Sequence, residues 1–208
     1  TQCEATGSLI FDLAQFLEIA LPPDAATALY AAIATDTGWF RFSAVTSQTM
    51  RRIAGLMEFG ASPAVIYREL YERSTLARMH LVGRALARMV LDCDGELAYI
   101  SIPWSDFEET GAVSSDTEDL VNECLKITGT RGAFIAIELQ NRQVKVSFRS
   151  RAEELDVSKI CEHFGGGGHR QAAGTTMPGP LADSIEKART AMANALANIR
   201  KTATAPSP

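Results

Sequence analysis

Four consecutive glycines, Gly165-Gly166-Gly167-Gly168, followed at once by His169 and Arg170, constrain this chain more than any other stretch. Without side chains, such a run can take positive φ at no steric cost. Its backbone N–H groups can also close around an anion. Taken alone, the glycines read as a flexible turn. The residues on their C-terminal side favour a phosphate cradle. His169 can hydrogen-bond a phosphate oxygen, Arg170 carries a permanent positive charge, and Ala172, Ala173 and Gly174 let the loop press close to a neighbouring element.

The segment before the glycines supports the same reading. Strands are expected at 133–139 and 144–149, joined at Gln140-Asn141-Arg142. In the second, Val144, Val146 and Phe148 alternate with Lys145, Ser147 and Arg149, the period of a half-buried strand. Arg149 and Arg151 end it. Asp156 is a candidate N-cap for a short helix, 157–164, that exits into the glycines. A last strand at 172–176 and an amphipathic helix at 181–200, with Ile185, Ala188, Met192, Leu196 and Ile199 inward, complete this half. A polar tail, 201–208, is expected to be disordered. Upstream, a strand is expected at 96–102, then a loop over 105–119 and a helix from about 119 to 127.

The first half reads as helices. Leu9, Ile10, Leu13, Phe16 and Leu17 recur at helical spacing in 7–19 and are expected to face a core. A second helix, 24–33, has Leu29, Tyr30 and Ile33 inward. A third begins at 45–47, with Met50, Ile53, Ala54 and Met57 on its apolar face and Arg51-Arg52 in solvent. A long helix is expected from 64 to 89.

Between the second and third helices lies Thr35-Asp36-Thr37-Gly38-Trp39-Phe40-Arg41. Asp36 precedes the helix-breaking Gly38, and the hydroxyls of Thr35 and Thr37 are placed to orient its carboxylate. The residue is either a helix-end cap or a metal ligand, with Arg41 set to pair with a phosphate. Trp39, Phe40 and Phe42 read as core aromatics, with one short strand conceivable near Phe40.

The totals narrow the function class. A net charge of -5 argues against a broad nucleic-acid-coating surface but permits a local basic pocket. Cys3, Cys93, Cys124 and Cys161 form no CxxC pair, which points to reduced thiols in a cytoplasmic protein. No apolar run approaches the ~20 residues of a membrane span. The opening Thr1-Gln2-Cys3-Glu4 has neither an initiator Met nor a signal peptide, so an interior piece of a longer protein is expected.

Two motifs carry a family resemblance. Gly166 to Gly174, preceded by Val146-Ser147-Phe148-Arg149-Ser150, resembles the signature of the DHHA1 domain. Thr35 to Arg41 resembles the fourth motif of the DHH phosphoesterase domain. The likeness is strongest to the short proteins that degrade oligoribonucleotides and dephosphorylate 3′-phosphoadenosine 5′-phosphate. It implies an α/β fold: a mainly helical remnant of a DHH domain (1–75), a connecting helix (76–92), and a DHHA1 domain with a mixed β-sheet flanked by helices (93–208). The remnant is expected to expose apolar surface.

The resemblance also implies a hydrolase with two Mn²⁺ or Mg²⁺ ions, in which the second domain grips substrate across a cleft. Asp36 is then a metal ligand and, with His169, catalytic. Arg149, Gly166, Gly167, Gly168, His169, Arg170 and Arg41 bind substrate. The substrate is a short single-stranded RNA or a nucleotide phosphate; no membrane partner is implied, and a homodimer is possible. The family's first three metal motifs are absent here and would lie before Thr1. Alternatives are a cyclic dinucleotide phosphodiesterase of the same family and a non-catalytic RNA-binding DHHA1 module.

Overall fold

The computed structural model describes residues 3–204, so the last part of the expected polar tail, 205–208, lies outside the described residues. The chain divides into two units between Ser74 and Thr75.

The described residues of the first unit form four helices: α1 (Thr6–Phe16), α2 (Pro23–Asp36), α3 (Ser47–Glu58) and α4 (Pro63–Tyr71). Its described residues include no strand, so the short strand considered near Phe40 is not formed; 37–44 are turns. The inward face of α1 differs from the expected one. Gly7, Ser8, Phe11 and Ala14 are buried, while Leu9, Ile10, Leu13, Phe16 and Leu17 are exposed, Phe16 to 83%. Close packing explains the choice. A Cβ at Gly7 would stand 3.1 Å from Ile33 and 3.2 Å from the Leu29 carbonyl. Small residues therefore line the contact with α2, and the large ones form the exposed apolar surface expected of this unit.

In α3, Thr46 and Thr49 form a reciprocal capping box. The helix buries Thr49, Ile53 and Leu56 rather than the Met50–Met57 face, both of whose methionines are about half exposed. Nor is Arg52 solvated. Its guanidinium grips Asp12 in a two-pronged contact at 2.8 and 2.6 Å and Glu4 at 3.3 Å, and its side chain is only 12% exposed. The pattern of apolar residues gave no sign of this ion pair, because Glu4 and Asp12 lie 48 and 40 positions away.

The expected long helix is two. α4 ends at Tyr71 and α5 (Leu76–Ala87) starts afresh, with the Thr75 hydroxyl accepting the Arg78 amide. The second unit begins there. It continues with β1 (Val90–Asp92), β2 (Leu97–Ile102), α6 (Trp104–Thr110), a 3₁₀ turn (Ser114–Thr117), α7 (Val121–Cys124), β3 (Gly132–Glu138), β4 (Gln143–Ser150), α8 (Val157–His163), β5 (Gly167–His169), β6 (Ala172–Pro178) and α9 (Leu181–Thr204). The segment expected as a loop over 105–119 thus holds α6. Pro103 precedes its first turn, where a missing N–H costs nothing, and Gly111 ends it in the left-handed region at φ 72.

The six strands of the described residues form one mixed sheet in the order β1-β2-β3-β4-β6-β5. Only β2 and β3 are parallel. One face buries Leu97, Phe134, Val144, Val146 and Phe148 beneath α8 and α9, where Met192 and Leu196 meet them. The other buries Ala98, Ile100, Ile102, Ala133, Ile135 and Ile137 against α5, α6 and α7. Burial of two fully enclosed phenylalanines, Phe134 and Phe148, anchors the first face; truncating either to Ala costs about 3–5 kcal/mol. No helix of the described residues is long and apolar enough to cross a membrane.

Candidate functional site

The pairing register assembles the site. On the face that carries Ile135 and Ile137, α5 and α7 stand over β2 and β3, with α7 also reaching β4, and the half made by β4, β6 and β5 presents polar and small residues. Arg149 pairs with Ala172, which pairs with His169. One row further, Ser147 pairs with Gly174, which pairs with Gly167. Lys145 pairs with Thr176 in the next row. Residues directly opposite across antiparallel strands share a face. Arg149, Ser147 and His169 therefore share one face, with Ala172, Gly174 and Gly167 as a shallow floor between them. Two strand spacings put the Arg149 and His169 Cα atoms roughly 10 Å apart. A long arginine and an imidazole can close that gap around one phosphate group. His169 lies exposed on the edge strand. Arg149 spends one Nη1–H on the Phe148 carbonyl at 3.0 Å and keeps its other donors.

The glycine run is less uniform than an open cradle. Gly165 N–H donates to the Glu162 carbonyl at 3.0 Å, and Gly166 N–H to the Cys161 carbonyl at 2.8 Å. With Gly165 at φ 75 this is the glycine-terminated cap that ends α8. The expected anion contact from the Gly166 amide is therefore corrected: that donor is already committed to the helix. Gly166 and Gly168 are glycine for want of space. A Cβ on Gly166 would meet the Gly174 carbonyl at 2.4 Å, and one on Gly168 the Ala172 carbonyl at 2.6 Å. Within the run, only a Cβ on Gly167 would meet nothing within 4 Å while φ stays outside the left-handed region.

Arg170 braces the site. Its Nε donates to the Glu153 carbonyl at 2.8 Å, and Nη1 lies 3.4 Å from the Asp156 carboxylate. Asp156 also accepts from the Ser158 hydroxyl at 2.6 Å, which, with the Ser158 amide and Arg170, holds its carboxyl below the usual range. The residue after His169 is thus tied to the N-cap of the helix that enters the glycines. The Thr175 hydroxyl fastens the other side by donating to the Phe164 carbonyl at 3.0 Å. The bracing contacts join residues 14 and 11 positions apart, so no local pattern announced them.

In the first unit, Asp36 is the last residue of α2 and is exposed. The flanking hydroxyls do not orient it. Thr35 Oγ1 donates to the Ala31 carbonyl at 2.9 Å and Thr37 Oγ1 to the Ile33 carbonyl at 2.6 Å, both back into the helix. Gly38, Trp39 and Phe40 then take three successive positive φ values of 56, 58 and 65. Two non-glycine residues in that region hold strain of about 1–3 kcal/mol each. The rings sustain it: Trp39 and Phe40 pack edge-on against Tyr30 at 6.3 and 6.0 Å, and the Phe42 ring lies over Gly38. Arg41 donates from Nε to the Gly38 carbonyl at 2.7 Å and is otherwise exposed. Among the described residues no group of three or more His, Cys, Asp and Glu side chains could hold a metal ion. The lone Asp36 carboxylate does not fit a two-cation centre, which needs several oxygen or nitrogen donors.

Comparison with known proteins agrees with the sheet geometry. Residues 96–198 match the model of the DHHA1 domain. That stretch of the second unit is a DHHA1 domain. The chain is 32% identical over 177 residues to the bifunctional oligoribonuclease and PAP phosphatase NrnA of Thermus thermophilus, covering 84% of this chain and 52% of that protein. It is 29% identical over 153 residues to the Bacillus subtilis protein of the same name, covering 74% and 47%. A solved exopolyphosphatase-related protein from Bacteroides fragilis superimposes with a TM-score of 0.84 at 25% identity, covering 90% of this chain and 55% of that one. The chain spans about half the length of the curated relatives it matches.

Proposed function

We propose that this chain is the substrate-gripping portion of a cytoplasmic, metal-dependent phosphoesterase acting on short oligoribonucleotides or on 3′-phosphoadenosine 5′-phosphate. The single observation that carries the reading is the register that sets Arg149, Ser147 and His169 on one open sheet face around a floor of Ala172, Gly174 and Gly167. Similarity to oligoribonucleases that are also PAP phosphatases supports the substrate class.

On this reading Arg149 anchors a phosphate through charge-assisted hydrogen bonds. His169 holds a proton against an oxygen of the same group. Gly167 admits the ligand to the backbone, and Gly166, Gly168 and Arg170 keep the β5–β6 hairpin in place. Asp36 is one metal ligand, and Arg41 a further phosphate contact. The remaining ligands of a Mn²⁺ or Mg²⁺ pair must come from residues other than those described, because the donor set here does not fit the pair. The 208-residue chain alone then has no manganese-dependent phosphodiesterase activity. Self-association through the exposed face of α1 belongs to the same proposal, and sedimentation at varied concentration checks it.

Titration with adenosine 5′-monophosphate tests the core of this. Arg149→Gln removes a charged hydrogen bond worth about 1.5–3 kcal/mol, so affinity falls roughly 10- to 100-fold. Unchanged affinity in that variant refutes the assignment.

A further inference from the structure

The helix-covered face of the sheet, opposite the one that carries Arg149 and Ser147, holds a groove that the phosphate reading leaves unused. α8 and α9 both pack on the strands rather than on each other. Ala188, Met192 and Leu196 of α9 enter the core. The neighbouring stripe of the same helix, Ala191 and Ala195, faces α8, and a methyl group is too short to close the gap. Two adjoining cavities remain, of about 410 and 330 Å³, which share His163 and Ala191 and lie wholly within the second unit. Volumes of this order suit a small organic ligand. The floor is within reach of one, because Ala191, Ala195 and Ile199 are only partly buried.

Charge accounting gives the sign of that ligand. The carboxylates along the groove are each held by an arginine: Asp156 by Arg170 at 3.4 Å, Glu154 by Arg131 at 3.5 Å and Glu186 by Arg189 at 2.5 Å. The lysines are unmatched. Neither the Lys159 nor the Lys187 ammonium group has a hydrogen-bond or ion-pair partner among the described residues. The His163 ring packs edge-on against Phe164 at 5.2 Å and makes no hydrogen bond among those residues. Lys159 and His163 stand one turn apart on one side of α8, about 6 Å along its axis. Arg170 completes this end of the groove. Its Nε and Nη1 are engaged, and its Nη2 has no partner among the described residues.

We propose that the α8–α9 groove binds an amphiphilic carboxylate, a small acid with a linear apolar tail. The acid group bridges Lys159 and Arg170, and the tail lies along Ala195 and Ala191 toward Phe164. This site goes beyond the phosphate grip assigned to Arg149 and does not rest on it. Its effect reaches the other face through the chain, because Arg170 directly follows His169 and α8 runs straight into the glycines. A bound acid ties the β5–β6 hairpin to α8 and stiffens it.

The test is an NMR titration of the 208-residue chain with hexanoate, octanoate and decanoate, with decylamine as the control. Affinity is expected to rise about two- to fourfold per added methylene, and the methyl resonances of Ala191, Ala195 and Ile199 to move. Decylamine should leave them in place. Lys159→Gln should weaken decanoate binding about tenfold, and Ala195→Leu, which fills the groove, should abolish it. Lys159 is exposed, so its variant is expected to fold and keeps the test decisive if Ala195→Leu does not. No decanoate shift in α9, equal shifts with decylamine, or affinity indifferent to Lys159→Gln overturns the site. Shifts confined to Leu13 and Phe16 of α1 overturn it too, since exposed apolar surface alone then accounts for binding. Phosphatidylglycerol vesicles should not co-sediment with the chain; co-sedimentation that Lys159→Gln abolishes would assign the groove to a lipid surface and overturn the small-acid reading. Bound decanoate should slow hydrogen exchange in the β5–β6 hairpin, and an unchanged rate overturns the link to His169.

Discussion

Exchanging single glycines of the run for alanine separates packing from ligand access. At Gly166 the new Cβ would stand 2.4 Å from the Gly174 carbonyl oxygen and 2.5 Å from the Thr175 Cβ. Neither neighbour is the tip of a flexible side chain, so β6 must shift or the hairpin must peel away. Overpacking of this kind costs about 1–3 kcal/mol or more. At Gly167 the Cβ meets nothing within 4 Å, and φ lies outside the left-handed region. Alanine there is expected to change stability by less than about 0.5 kcal/mol. At Gly165, which is open but held at φ 75, the cost is the left-handed strain alone, about 1–2 kcal/mol. In a domain of this size each kcal/mol moves the melting temperature by roughly 3–5 °C. Thermal unfolding followed by the β-sheet signal should therefore rank Gly167→Ala above Gly165→Ala, and Gly166→Ala no higher than Gly165→Ala. Gly166→Ala should lower the midpoint by roughly 3–15 °C. A Gly167→Ala variant that melts as early as Gly166→Ala would falsify the division of the run into capping, packed and open positions.

Four further outcomes come from the same geometry. His169→Ala leaves the melting temperature unchanged, because the side chain is exposed on an edge strand, but in an enzyme containing this chain it slows turnover of a short RNA with metal content intact; equal turnover removes His169 from the site. Burial raises the pKa of Glu4, but hydrogen bonds from its own backbone amide and from Ser8, Thr49 and Cys3 outweigh that and bring it down to about 2. A carboxyl depressed in the folded state stabilises fully above its unfolded value of 4.5 and loses that contribution as pH falls toward 2. Acid titration of the helical signal should show this loss in the first unit, and Glu4→Gln should flatten it. Burial pushes the Cys124 thiol up to about 12 and Cys161 to about 11, so a thiol reagent at a pH of about 8 should label neither until the domain unfolds. Removing the Arg170 brace with Arg170→Ala should raise the hydrogen-exchange rate of the β5–β6 hairpin by freeing Asp156, and an unchanged rate would show that the brace carries no load.

Much of the second unit was legible because its signals are local. The alternation of Val144, Val146 and Phe148 with Lys145, Ser147 and Arg149 states which side of a strand is buried, and β4 obeys it. Asp156 before an apolar run marks the start of α8, and its side chain does accept the Ser158 amide. The inward residues of α9 are those its period selects, with Ala188, Met192 and Leu196 fully buried. In the first unit the same reasoning misjudged α1 and α3. Apolar periodicity identifies a greasy stripe without saying whether a partner covers it. At the α1–α2 contact the short reach of Gly7 allowed close approach, and the larger residues were left outside.

The candidate site divides along the same line. His169, Arg149 and the glycines stood out by residue type alone. That Arg149 and His169 share a face depends on β6 pairing between β4 and β5, a register that no short window of sequence contains. The Thr35 and Thr37 hydroxyls were placed by the helix behind them, since a hydroxyl at a helix end finds a carbonyl one turn back more readily than a neighbouring carboxylate.

The amino-acid order by itself determined the chemistry on offer: an imidazole, several guanidinium groups and a backbone stripped of side chains at one bend. It determined the strand and helix periods too, because these are set within a few residues by side-chain alternation and capping. Only the tertiary structure decided which glycines are spent on packing and which are open, that Arg170 faces Asp156, and that Lys159 is left without a partner beside a pocket. Those outcomes depend on contacts between residues distant in the chain, whose distances are fixed by how strands pair and layers pack rather than by any local preference.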